Sequence, residues 1–133
     1  MKKYLVFIFI LSLSAMAQEK IYYKDYFNQE MLKEVYANHY ESEYLNNIHR
    51  KKSVNKLIER IQFVQTPKEK DEKIVWLSSV PLFNKFNKSL KRDSSFDINT
   101  FNIFKYNLDF FTSGTVVYRI DGTDWKIVIN SQN

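Results

Sequence analysis

From residue 28 to residue 48 the chain carries neither proline nor glycine, and large side chains recur at steps of four: Leu32, Tyr36, Tyr40, Tyr44 and Ile48. That spacing predicts a helix. Asn28 is placed to cap it, with Glu30 in the first turn, where the helix dipole favours an acid. At about 100° per residue the row drifts by about 40° per step, so it winds around the helix instead of forming one narrow seam. Met31 and Val35 widen the stripe, as suits a helix packed against more than one neighbour.

The pattern breaks around Asn46, Asn47 and the basic run Arg50-Lys51-Lys52. Ser53 can then cap a second helix. Val54, Leu57, Ile58, Ile61 and Val64 share its apolar face, opposite Lys56, Glu59 and Arg60. The two helices read as an antiparallel hairpin, with a single bent helix as the alternative. Phe63 lies off the apolar face, which leaves the last turn open to an extended conformation.

Beyond residue 65 the period changes. Residues 66–73 combine Pro67 with a dense charge run and read as a solvated loop. Ile74-Val75-Trp76-Leu77 is a short strand-type run. Leu82, Phe83, Phe86 and Leu90 recur at near-helical spacing, as a two-turn helix or an ordered irregular stretch. Tyr106, Leu108 and Phe110 then alternate with Asn107 and Asp109, Val116, Tyr118 and Ile120 with Val117 and Arg119, and Trp125, Ile127 and Ile129 with Lys126 and Val128. Turn residues separate them at Thr112-Ser113-Gly114 and Asp121-Gly122-Thr123-Asp124. Three such strands make a β-meander with one apolar face. Covered by the helical hairpin, they give a two-layer α+β fold. At least one of Trp76 and Trp125 is expected in the core.

The start of the chain follows another rule. Met1-Lys2-Lys3 is basic, residues 4–13 are almost wholly apolar, and Ser14-Ala15-Met16-Ala17 ends in a small-x-small pattern. This order reads as an export signal, removed near Ala17/Gln18, and the apolar run falls short of the about 20 residues a spanning helix needs. Removal of residues 1–17 leaves a single domain, residues 18–133, in the periplasm or outside the cell. Without Lys2 and Lys3, 18 basic residues face 15 acidic ones, a net charge of +3. Both signs are interspersed, as on an ordinary surface. Basic runs at Arg50-Lys51-Lys52 and at Lys85, Lys88, Lys91 and Arg92 suit solubility or an anionic lipid or polysaccharide. No nucleic acid partner is expected, and no integral membrane segment beyond the signal. There is no cysteine in the chain, so packing must hold the domain without disulfides, and thiolate chemistry is excluded.

Phe101-Asn102-x-Phe104-Lys105-Tyr106-Asn107-x-Asp109-Phe110-Phe111, followed by Tyr118-Arg119-Ile120-Asp121-Gly122-Thr123-Asp124-Trp125-x-Ile127, resembles the C-terminal signature of uncharacterised small exported proteins of flavobacteria and their relatives. Residues 81–87 are similar to theirs too. The resemblance implies an exported bacterial protein and carries no activity with it.

Candidate chemistry is sparse. His39 and Glu43 stand one turn apart and can form a surface pair or a transient metal contact. His49 sits beside a basic junction and reads as a helix C-terminal residue facing the dipole. Glu41 and Glu43 would point to different sides of a helix, a poor pair for acid–base work. Asp121 and Asp124 bracket a glycine turn, where accepting backbone N–H bonds is their ordinary task. There is no nucleophile elbow, phosphate loop or dinucleotide fingerprint, so no catalytic residue, metal site or cofactor is expected.

Tyrosine is the surplus. Eight of the nine tyrosines follow residue 17, and this residue favours half-wet sites: core rims, interfaces and sugar platforms. Tyr36, Tyr40 and Tyr44 are therefore the candidate binding row, with a core seam as the rival reading. The expectation is a non-catalytic envelope or secreted binding protein, whose partner is another envelope protein or a polysaccharide. A small hydrolase of cell-wall or polysaccharide substrates and a structural surface component are the alternatives.

Overall fold

The computed structural model describes residues 19–132. The export-signal reading of residues 1–17 lies outside the described residues. Two helices, α1 (Gln29–Tyr36) and α2 (Ile48–Ile58), pack with an open antiparallel sheet of four strands. Its strands are β1 (Glu19–Tyr22), β2 (Ile61–Gln65), β3 (Val116–Arg119) and β4 (Trp125–Ile129), in the spatial order β1-β2-β4-β3. The α+β class stands, while the strands differ from the three-strand meander in identity and order.

Two corrections follow from backbone chemistry. The expected helix through residue 48 stops at Tyr36, because Ala37 takes a positive φ of 49°. A 3₁₀ turn (Ala37–His39) and a π turn (Glu41–Leu45) carry the chain to α2. The second helix begins five residues before Ser53. Asn47 is its cap, and its side-chain oxygen accepts from the Arg50 N–H at 3.0 Å. Ile48, the last residue of the four-step row, is exposed.

The C-terminal end of the expected second helix is instead the central strand β2. Its residues pair on one side with β1 and on the other with β4, Phe63 standing between Ile21 and Ile127. Alternation places Ile21, Phe63, Ile127 and Tyr118 in one row of the inner face, and Ile61, Ile129 and Val116 in the next. These side chains share one core with Leu32 and Val35 of α1 and Val54 and Leu57 of α2. Arg60, at the α2–β2 corner, donates to the Asn130 and Phe110 carbonyls at 2.8 Å each.

Residues 106–110 are not a strand. The Asn107 N–H donates to the Pro81 carbonyl, and the Leu108 and Phe110 N–H groups donate to carbonyls two residues back. Local turns thus replace a ladder, with one bridge between Leu82 and Tyr106. Residues 82–90 are irregular and bury Leu90. Only a single bridge, from Trp76 to Arg119, represents the strand expected at 74–77. Neither tryptophan is buried: Trp76 is exposed and Trp125 half-buried against Phe96.

Polar wires run through the interior. Tyr23 is fully buried, and its hydroxyl donates to the Met31 sulfur and accepts from the Ile103 N–H. Burial pushes this phenol far above its ordinary range. Asn102 donates to the Met31 carbonyl at 2.8 Å and accepts from the Phe104 N–H at 3.1 Å, tying the 3₁₀ turn Ile103–Lys105 to α1. On the outer sheet face Arg119 is only 2% exposed. It grips Glu72 through two N–H groups at 2.7 and 2.8 Å and donates to the Thr66, Pro67 and Asp124 carbonyls. The expected solvated loop at 66–73 is therefore lashed to the sheet.

Candidate functional site

The candidate tyrosines lie along the seam between the helical segment and the rest of the core. Tyr36, Tyr40 and Tyr44 are 9%, 7% and 2% exposed. Tyr40 and Tyr44 stack at 5.6 Å, and the Tyr40 hydroxyl donates to Gln29 at 3.1 Å. Burial raises the Tyr44 phenol above its ordinary range, with a smaller push from Tyr40. Tyr36 turns to Phe86 and Phe83, at 5.3 and 6.4 Å. The three residues do not form one exposed platform. Of the three, Tyr36 alone reaches the wall of a cavity.

That cavity is a cleft of about 530 Å³ between the helices and residues 104–111. Val35 and Tyr36 of α1 form one wall, and Val54 and Leu57 of α2 another. Phe104, Leu108 and Phe110 close the far side. The alternation of residues 106–110 explains this wall, because Tyr106 and Leu108 face inward even though no strand forms. His49, Arg50, Ser53, Asn107 and Phe111 also line it. Phe111 is 62% exposed, an unusual position for so large an apolar ring. Sequence reading passed over this cleft, since its lining comes from segments up to about 75 positions apart, from Val35 to Phe111.

Among the described residues Arg50 is the one permanent cation in the lining. Its guanidinium lies 5.5 Å from the Tyr36 ring centre. Nη1 donates to Glu43 at 3.0 Å and to the Tyr36 hydroxyl at 3.3 Å. Nε and Nη2 have no hydrogen-bond partner among the described residues. Behind the far wall Asp93 accepts from Lys105 at 3.1 Å and from the Tyr106 hydroxyl at 2.8 Å. Burial, with the Asp93 carboxylate beside it, pushes the Tyr106 phenol up to about 12, so it stays protonated at neutral pH. Among the described residues no carboxylate lines the cleft. An acid–base pair for hydrolysis is not assembled there.

The other candidates are accounted for by structure. Glu43 binds Arg50, while the exposed His39 lies with its ring 5.1 Å from Phe86, so these two residues are engaged separately. His49 belongs to the first turn of α2 and not to a helix C-terminus. Asp121 accepts from the Ser78 N–H and hydroxyl at 2.9 and 2.7 Å, bracing the 3₁₀ turn Leu77–Ser79. Gly122, at φ 72°, supplies the left-handed position of the turn before β4. Among the described residues no group of three or more His, Asp or Glu side chains is placed to hold a metal ion.

No protein-family model, curated protein or solved structure matches this chain.

Proposed function

We propose that the chain is a non-catalytic binding protein of the bacterial envelope or exterior, and that the cleft between α1, α2 and residues 104–111 is its ligand site. The observation that carries the reading is the composition of that cleft: apolar and aromatic walls with a few polar groups. Its volume falls in the range of single small-molecule sites, about 300–1,000 Å³. Of the Tyr36, Tyr40 and Tyr44 row, Tyr36 contributes directly to the wall. Export rests on the basic-apolar-small order of residues 1–17, and the resemblance of residues 81–127 to exported flavobacterial proteins agrees with it. Among the described residues no helix is long and apolar enough to cross a membrane.

Ser53 gives a clean test, because it is exposed on α2 yet lines the cleft. The neutral fluorophore N-phenyl-1-naphthylamine should bind the purified protein with enhanced emission. Ser53→Trp should weaken that binding by at least about tenfold, by filling the cleft, with little change in the unfolding midpoint. Equal binding by both proteins, or none by the unmodified one, would remove the cleft as the ligand site.

A further inference from the structure

We infer that the cleft is built for a free medium-chain amphiphile with a carboxylate head, which rests on the binding reading above and names its ligand. Val54, Leu57, Phe104 and Leu108 give an acyl body apolar surface, so burial against them is favourable in proportion to the area covered. Among the described residues Arg50 is the permanent cation of the lining, and its partner Glu43 meets it at Nη1 from outside the cleft.

The guanidinium is also oriented. Glu43 and the Tyr36 hydroxyl both occupy Nη1. What remains is the Nε–Nη2 edge, a planar pair of donors that matches the two oxygens of a carboxylate. One edge of one guanidinium suits a monoanion. A phosphate dianion would leave charge unmatched, since Lys51 and Lys52 do not line the cleft. A cationic head would meet Arg50 with like charge, and a neutral head would leave the free edge unused.

Calorimetric titration of the purified protein at pH 7.5 with decanoate, decan-1-ol and decyltrimethylammonium holds chain length constant and varies only the head. Decanoate should bind about tenfold more tightly than decanol, with the cation weakest. Arg50→Gln should erase the advantage of decanoate over decanol. Glu43→Gln should act in the opposite direction and raise decanoate affinity several-fold, because it removes the acid that already shares the guanidinium. If Arg50 and Glu43 were only a structural pair, both substitutions would weaken every ligand alike, and the inference would be overturned. Equal binding of decanoate and decanol, each displacing N-phenyl-1-naphthylamine, would overturn the head-group assignment and leave the cleft reading intact. Failure of the fluorophore and all three amphiphiles to bind would end both. Retention on phosphatidylglycerol vesicles without binding of free decanoate would assign Arg50 to a membrane surface and overturn the free-ligand claim.

Discussion

Arg119 concentrates more of the fold in one side chain than its position on the outer sheet face suggests. In a four-strand sheet an outward arginine ordinarily meets water, yet here it holds Glu72 and three carbonyls from two separate turns. The pair is secured by hydrogen bonding as well as by charge. Arg119 beside Glu72 holds that carboxyl below its usual range, and Glu72 in turn raises the arginine. Arg119→Ala should therefore destabilise the protein by roughly 3 kcal/mol, since it strands the partners of a buried ion. The pH dependence has a definite sign. A glutamate whose folded pKa is depressed contributes stability above its unfolded value, and loses it as pH falls through the folded one. Denaturant unfolding at pH 7 and at successively lower pH should show wild type more stable than Glu72→Gln at neutrality, the gap closing in acid below the ordinary glutamate range. A gap that stays constant with pH would show that the charge on Glu72 contributes nothing. The sequence shows a mixed charge run at residues 68–73 and an arginine in a strand, but only the folded loop shows that Glu72 and Arg119 meet.

At the level of elements, the sequence reported burial better than it reported conformation. Tyr36, Tyr40 and Tyr44 were legible as a row, and all three are buried. A continuous helix would have rotated the row by about 40° per step and carried its end away from the core. The break at Ala37 and the wider π turn keep Tyr40 and Tyr44 inside, and nothing in an Ala-Asn-His sequence announces a positive φ. Likewise Ile61 and Val64 fit the apolar face of a helix and are buried, but in a strand whose partners come from both ends of the chain. Apolar spacing at three and four residues does not distinguish the two over so short a span; long-range pairing decides it. The cleft was least legible, being made by contacts between segments instead of a pattern within one. Ala37 offers a test of this account. At φ 49° and ψ −124° it holds a conformation that suits glycine. Ala37→Gly should stabilise the protein by about 1 kcal/mol in denaturant unfolding, despite the greater freedom glycine gives the unfolded chain. Destabilisation by the same amount would mean that Ala37 carries no strain there.

For the whole molecule, the sheet relates the two ends of the chain to each other. β1 begins at Glu19 and pairs with β2, which pairs with β4 near the other end, so three strands distant in sequence close one core. Without cysteine, that core and the Arg119, Arg60 and Asn102 lashings hold the fold with no covalent crosslink. The proposed cleavage between Ala17 and Gln18 leaves one residue ahead of Glu19, whose ladder partner is Gln65. Cutting there would remove no strand or helix among the described residues. A cut even four residues later would take Glu19, Lys20 and Ile21 with it and strip most of β1 from the sheet edge, uncovering Phe63 on that side. A cut after residue 17 is thus compatible with β1 in the sheet. Expression of the full chain in a flavobacterial host, followed by intact-mass measurement of the protein outside the cytoplasm, should return a species that begins at Gln18. A species that retains Met1, or recovery from the cytoplasm alone, would overturn export; a new terminus beyond Ile21 would keep export and overturn the assignment of β1 to the mature fold.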